Sequence, residues 1–146
     1  IEDLKLNADL FYKTRVDLIE QPLLSGNDNE LKGLNYPVSI CADESFHDSS
    51  DLDEMKNKYD TINIKLDKTG GLSEALIIAN EAKKLNLKIM LGCMVSSSLS
   101  MIPLLPLYQF ADFIDLDGPC FISHDRENGL IYEKGMILLN RDLCWG

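Results

Sequence analysis

Thr61-Ile62-Asn63-Ile64-Lys65-Leu66-Asp67-Lys68-Thr69-Gly70-Gly71 is the stretch whose reading decides the fold. It opens as a short β-branched alternation, which favours a strand. Lys65 stands where that strand should end, and Gly70-Gly71 break the chain before an apolar helical pattern from Leu72 to Leu85. A cation at the C-terminal tip of a strand, followed by a glycine turn into a helix, is where α/β proteins place their chemistry. A lone lysine at such a place is more often a solvated loop residue, so the weight falls on its company.

Outward from this stretch the same rhythm repeats. Towards the N-terminus, residues 1–14 form a helical pattern with Leu4, Leu6, Leu10 and Phe11 as its apolar stripe. Val16 to Glu20 is a strand that stops at Gln21-Pro22, because proline cannot donate to a ladder. Asn27 to Glu30 offer caps for a short helix through Leu34, and Val38 to Ala42 form the next strand, closing at Asp43-Glu44-Ser45. Ser49-Ser50-Asp51 can cap a helix running to about Tyr59.

Towards the C-terminus, Leu72, Ala75, Leu76, Ala79 and Ala82 share one face of the helix that follows the glycines. Lys88 to Leu91 is a strand ending at Gly92. Ser97-Ser98 precede a helix through Phe110 whose regularity Pro103 and Pro106 limit, and Phe113 to Leu116 is the fifth strand. Strand ends thus fall at residues 20, 43, 65, 92 and 115, in steps of 23, 22, 27 and 23. That is a series of βα units, which implies a parallel sheet. Either a doubly wound sheet or part of an eight-stranded barrel would satisfy it. Charged residues close four of the five strands, as expected where strand ends converge on one mouth, and this favours the barrel.

After Cys120 the rhythm is lost. Asn128-Gly129 looks like a hairpin turn, with Ile131-Tyr132 and Met136 to Leu139 as candidate strands. The chain therefore divides into a catalytic partial barrel, 1–120, and a C-terminal tail, 121–146.

The 146 residues carry a formal charge of −10, which argues against nucleic acid as a partner and would be repelled by anionic membrane surfaces. No apolar run approaches a membrane span, and the first ten residues do not read as a signal peptide. Cys41, Cys93, Cys120 and Cys144 lack a C-x-x-C pairing, and His47 and His124 lie far apart, so a zinc site is not expected. Reduced cysteines in a cytoplasmic protein are the reading.

On a barrel rim Glu20, Asp43, Lys65, Asp115 and Asp117 face one cavity. That many carboxylates repel one another unless a cation lies between them, and Glu20 and Asp43 on neighbouring strands suit a hard ion such as Mg²⁺. Rim acids that merely pair with Lys or Arg remain a second reading of the same two residues. Asp67 and Lys68 are expected to be loop charges or local ion pairs, and Gly70-Gly71 to serve turn geometry. Cys93, with no histidine near it in sequence, reads as a wall residue rather than a nucleophile.

Six segments in order carry a resemblance: Ile19-Glu20-Gln21-Pro22-Leu23, Ala42-Asp43-Glu44-Ser45, Ile62-Asn63-Ile64-Lys65-Leu66, Thr69-Gly70-Gly71-Leu72, Gly92-Cys93-Met94 and Asp115-Leu116-Asp117-Gly118-Pro119. Together they resemble the enolase superfamily, within it the muconate-lactonising-like subgroup, and most closely the dipeptide epimerases acting on L-Ala-D/L-Glu and similar dipeptides. The resemblance covers residues 10 to 120. It implies that this chain is the C-terminal portion, about strands 4–8, of an enolase-type modified TIM barrel, with a tail returning towards the capping domain.

The resemblance also implies roles. Glu20 matches the second of three Mg²⁺ carboxylates, Asp43 the third, and Lys65 the lysine acid/base on the sixth barrel strand. Cys93, Met94 and Val95 match a rim segment lining the substrate site, and Asp115 and Asp117 the acidic pair that holds a dipeptide's ammonium. The capping domain, first three barrel strands, K-x-K motif and first Mg²⁺ aspartate of the family are not in this sequence. The implied partners are therefore a dipeptide substrate and a complementary N-terminal segment carrying those parts, and self-association into a homo-oligomer is compatible with this. Ser96 replaces a glutamate found in many relatives, and the Pro-Gly-rich close expected of the family is missing from Arg141 to Gly146.

The activity so implied is 1,1-proton transfer at an α-carbon, with charge developing as an enediolate beside Mg²⁺ and one lysine on each face. An o-succinylbenzoate synthase or cycloisomerase would share metal and lysines but would not need Asp115 and Asp117. A reading of a different class is a non-catalytic fragment acting as a binding or assembly module.

Overall fold

The computed structural model describes residues 1–145. Five short strands, β1 (Leu18–Glu20), β2 (Ser39–Ala42), β3 (Thr61–Ile64), β4 (Lys88–Leu91) and β5 (Phe113–Ile114), pair in parallel in the order of the chain. Each strand neighbours the next in sequence, so the order never reverses and there is no switch point. This is the arc of a barrel and not a doubly wound sheet. The register, Glu20 beside Cys41, Ala42 beside Ile62 and Ile64 beside Leu91, brings the C-terminal tips to one rim. β1 and β5 are the two edges of the open sheet.

The central strand β3 explains why the arc holds. All four of its residues are buried, as expected of a parallel strand covered on both faces. Side chains alternate, so Ile62 and Ile64 pack into the core with Ala75, Ile78 and Ala79, while Thr61 and Asn63 occupy the other face. Lys65 continues that second series, two residues beyond Asn63.

Among the described residues six α-helices flank the sheet: α1 (Glu2–Leu6), α2 (Ala8–Lys13), α3 (Leu52–Met55), α4 (Leu66–Thr69), α5 (Leu72–Lys84) and α6 (Ser98–Met101). The helix expected over residues 1–14 is broken at Asn7, whose side-chain amide donates to the Asp3 carbonyl at 2.8 Å and competes with the helix ladder. The helix expected to reach Tyr59 stops at Met55; Asp51, one of the three expected capping residues, is its N-cap position, and a 3₁₀ turn over Ser49–Asp51, itself capped by Asp48, leads into it. Asp48 accepts from the Ser50 N–H at 2.8 Å while Asp51 accepts from the His47 N–H at 2.9 Å.

On α5 the buried face is Ala75, Ile78, Ala79 and Ala82; Leu76 is 38% exposed, so Ile78 takes the place expected of it. After α6 the chain runs on as a 3₁₀ helix from Ile102 to Phe110, the tighter form that two prolines leave open to it. β5 ends at Ile114, two residues before its expected limit.

The tail folds as a hairpin of β6 (Ile131–Glu133) and β7 (Met136–Leu138). Its turn is Lys134-Gly135, both with positive φ (51° and 76°), and not Asn128-Gly129, which precedes the first strand. Two positive φ values in succession are what a two-residue turn matching strand twist requires. The hairpin is anchored by Tyr132, whose hydroxyl donates to the Leu116 carbonyl at 2.7 Å, and by buried Leu130. Among the described residues no helix is long and apolar enough to cross a membrane.

A buried ion pair braces the loops behind the rim. Asp28, 3% exposed, accepts from the Lys58 ammonium at 2.9 Å and from the Tyr59 hydroxyl at 3.0 Å. Burial alone would raise the Asp28 carboxyl, but hydrogen bonds from Lys58, Ser45 and Tyr59 outweigh it and hold it below the usual carboxylate range. A depressed folded-state value means the pair's contribution is present at neutral pH and is lost as pH falls below about 4. Asp28→Asn should cost about 3 kcal/mol in denaturant unfolding at pH 7, because the Lys58 ammonium keeps only Glu54. The variant should also lose most of the difference in stability between pH 7 and pH 3 that Asp28 supplies. A cost independent of pH would show that the pair is not what holds these loops.

Candidate active site

Each strand of the arc ends in a residue with something to offer. Glu20 closes β1, Asp43 follows β2, Lys65 follows β3, Gly92 follows β4 and Asp115 follows β5. The structure brings the first three together. Lys65 Nζ donates to Asp43 Oδ2 at 2.7 Å, and Lys68 Nζ donates to Asp43 Oδ1 at 2.5 Å and to the Asp43 main-chain oxygen at 2.6 Å. Burial would raise Asp43, yet the two ammonium groups outweigh it and hold the carboxyl below its ordinary value. Burial would likewise lower Lys65, but Asp43, Glu20 and Glu44 reverse this and keep the ammonium protonated above its usual range.

Glu20 is in the opposite situation. Burial and the charge of Asp43 push its carboxyl up, offset in part by the Asn63 amide, which donates to Glu20 Oε1 at 2.6 Å, and by Lys65. Asn63 reaches Glu20 only because position 92 is glycine: a Cβ there would lie 2.2 Å from Asn63 Oδ1. Two oxygen donors side by side, one of them held only by a neutral amide, fit a hard divalent cation such as Mg²⁺. Glu20 and Asp43 are the residues that would hold it. Among the described residues no third acidic, histidine or cysteine side chain joins them as a ligand cluster.

The second half of the site is a cavity of about 490 Å³ between β5 and the hairpin, lined by Asp115, Asp117, Cys120, Tyr132 and Lys134 among others. Lys65, Glu20 and Asp43 lie outside its lining, on the open rim. β5 stops short at Ile114, and both aspartates lie in the segment that follows it. Leu116 is buried, and Asp115 and Asp117 are both exposed and both line the cavity. Burial and the neighbouring Asp117 carboxyl push Asp115 up, so this acidic pair is short of positive charge.

Cys93 stands between the two halves: its sulfur accepts from the Gly118 N–H at 3.3 Å, and Asp115, Asp117 and Lys65 all act on it. Burial first, then the aspartates, push its thiol up, as a wall residue and not a nucleophile. Met94 turns its carbonyl towards Gly118, where a Cβ would lie 2.5 Å from it, and Met94 and Val95 are otherwise exposed, at 51% and 66%.

The family model for the enolase C-terminal domain-like fold matches residues 2–139. The chain belongs to this enolase C-terminal domain family. It is 43% identical over 144 residues to an N-acetyl-D-glutamate racemase from Pseudoalteromonas sp., covering 99% of this chain and 46% of that one. It is 42% identical over 138 residues to the L-Ala-D/L-Glu epimerase of Escherichia coli K12, covering 94% and 43%. A solved enolase family member from Agrobacterium tumefaciens with homology to dipeptide epimerases, with bound sodium and L-Ala-L-Glu, superposes with a TM-score of 0.88 at 48% identity, covering 99% of this chain and 43% of that one. A solved dipeptide epimerase from Methylococcus capsulatus complexed with Mg ion gives 0.81 at 30%, covering 93% and 42%. The chain thus spans under half the length of the curated relatives it matches.

In this enolase-type arc two contributors escaped the sequence reading. Lys68, expected to be a loop charge or a local ion pair, is instead folded back over Asp43, 25 residues away in sequence, by the helical turn α4, which Gly70 (φ 82°) and Gly71 (φ 119°) close. Its spacing from Lys65, i and i+3, is the signal: one helical turn sets two ammonium groups on one side. Asn63, two residues before Lys65 on a β strand, was legible by alternation alone.

Proposed function

We propose that this chain supplies the C-terminal half of an Mg²⁺-dependent dipeptide epimerase acting on L-Ala-D/L-Glu or a related dipeptide. Residues 1–120 form its catalytic arc and 121–146 a tail towards the capping domain. A complementary upstream segment would complete the barrel against the open edges β1 and β5 and bring the remaining carboxylate and the second lysine. The observation that carries the reading is the acidic pair Asp115 and Asp117 beside a cavity, on the same rim as the Glu20, Asp43 and Lys65 cluster.

The chemistry follows from the residues. The proton α to a carboxylate is hard to remove because the product carries a second negative charge. Mg²⁺ held by Glu20 and Asp43 would supply the opposing charge at the substrate carboxylate. Lys65, at the tip of β3, delivers or takes the proton on one face of the α-carbon. Its present ion pair with Asp43 keeps a proton on it, so as it stands Lys65 is the acid of the pair. Asp115 and Asp117 hold the substrate's ammonium through charge-assisted hydrogen bonds and so set which face of the α-carbon meets Lys65. Cys93 and Met94 form the wall between ammonium and reacting carbon.

A second reading, racemisation of an N-acylated amino acid, has the Pseudoalteromonas relative behind it. The acidic pair separates the two, since an acyl group leaves both carboxylates without a cation. Assayed with its upstream segment supplied, the protein should epimerise a free dipeptide with kcat/KM at least about a hundredfold above the N-acetyl dipeptide or N-acetylglutamate. Equal values, or preference for the acylated compounds, would overturn the dipeptide reading and favour the racemase. Turnover of neither kind of compound would favour the synthase or cycloisomerase.

A further inference from the structure

Gln21 follows Glu20 at the tip of β1, with a φ of 38° in the left-handed region that glycine adopts freely and other residues rarely do. A glycine would relieve that strain, so the position keeps its glutamine for the side chain. The side chain has an unusually full set of partners. Oε1 accepts from the main-chain N–H groups of Asp43 at 2.9 Å and Ser45 at 3.2 Å. Nε2 donates to the Leu23 carbonyl at 2.7 Å, with Ser45 Oγ at 2.9 Å and the Tyr59 hydroxyl oxygen at 3.1 Å also in reach.

Two main-chain donors on one side and a carbonyl acceptor on the other leave the amide a single orientation. Behind it the Tyr59 hydroxyl donates to Asp28, which is paired with Lys58, so the brace ends in the buried ion pair described above. Through its own N–H, Gln21 also donates to the Cys41 carbonyl at 2.8 Å, continuing the β1–β2 ladder. One residue therefore fixes the backbone leaving Glu20 and the backbone that carries Asp43.

We infer that Gln21 is a positioning residue that sets the separation and aim of the Glu20 and Asp43 carboxylates across the β1–β2 rim. The inference rests on the proposed function only for what those carboxylates hold; the brace itself is independent of it. Loops at a rim drift unless their free N–H groups find partners, and here the two N–H groups flanking Glu44 share one acceptor. Removing that acceptor frees the Asp43 carboxylate while leaving both carboxylates, both lysines and the ion pair chemically intact.

The test uses the protein with its upstream segment and compares wild type, Gln21→Met, Gln21→Glu and Tyr59→Phe. Methionine keeps the length and loses the acceptor; glutamate keeps an acceptor; phenylalanine trims only the outer brace. Amide hydrogen exchange, read by NMR without metal, should speed up at Asp43 and Ser45 at least tenfold in Gln21→Met, recover in Gln21→Glu, and change little in Tyr59→Phe. Mn²⁺ affinity, read by electron paramagnetic resonance well below the unfolding temperature, should fall at least tenfold in Gln21→Met and stay within twofold in Tyr59→Phe. Unchanged exchange in Gln21→Met overturns the inference. So does equal acceleration in Gln21→Met and Tyr59→Phe, which would mean general loosening. Accelerated exchange with no Mn²⁺ binding even in wild type would instead overturn the metal reading and leave the brace standing.

Discussion

Replacing Lys65 by alanine should stop epimerisation by the assembled protein while leaving slow, one-sided exchange of the substrate α-proton. Inversion needs a base on each face of the carbon, whereas exchange needs only one. With Lys65 gone, the lysine of the upstream segment should still wash solvent deuterium into the stereoisomer whose proton faces it. General acid–base catalysis supplies about 10²–10⁴ in rate, so inversion should fall at least about a hundredfold. The fold should survive, because Lys68 still holds Asp43 through both a side-chain and a main-chain oxygen. Proton NMR of each epimer in heavy water reads both outcomes at once. Inversion at the normal rate, or loss of exchange from both epimers alike, would remove Lys65 from the face-specific role. Epimerisation by residues 1–146 alone would overturn the need for an upstream base instead.

The residues that this experiment addresses were the legible part of the sequence, and the reason is periodicity. A βα unit repeats about every 23 residues, so each strand tip falls where the rhythm puts it, and Glu20, Asp43, Lys65 and Asp115 all stand at or just past a strand end in the structure. The rhythm by itself is equally met by a doubly wound sheet; the charged residues at the strand ends are what favour the barrel, and the sequential strand order agrees with them.

What periodicity could not give was anything decided by one particular side-chain hydrogen bond, local or between units. Asn7 breaks a helix by bonding the Asp3 carbonyl, Asp48 caps a 3₁₀ turn ahead of the helix that Asp51 begins, and Lys68 folds back over a neighbouring strand's carboxylate. The misplaced hairpin turn has the same origin. Asn128-Gly129 has the composition of a two-residue turn, but Gly129 is packed against Asp125 and Ser98, where a Cβ would lie within 2.8 Å of both. Ser98 donates to Asp125 and accepts from Leu130, so that glycine is kept for a close approach and Lys134-Gly135 makes the turn.

Glu20→Gln and Asp43→Asn should each abolish turnover and weaken the metal by at least about a hundredfold, since changes outside the ligand shell alone cost 10–100-fold. Yet the two variants should move metal-free stability in opposite directions. Glu20 is held up by burial and by the charge of Asp43, with a neutral amide as its closest partner, so an amide in its place removes a repulsion. Asn63 can meet that new amide by turning its own oxygen, which has no other partner, towards the amide's N–H. Asp43, by contrast, is the sole carboxylate seen to pair with Lys65 and Lys68 among the described residues, and both lysine side chains are over four-fifths buried. An amide there leaves two cations side by side with no carboxylate in direct ion-pair contact, only Glu20 and Glu44 acting on Lys65 from further off, a change of the kind that costs several kcal/mol when a buried pair is broken. Unfolding of both variants without metal, together with Mg²⁺ titration, separates the two effects. Glu20→Gln with unchanged metal affinity and rate would make the metal assignment wrong. Asp43→Asn as stable as wild type would mean that the lysines find other anions and that Asp43 is not their anchor. The expected combination, lost function with a gain in stability at one carboxylate and a loss at the other, follows from which of the two acids the lysines have already neutralised.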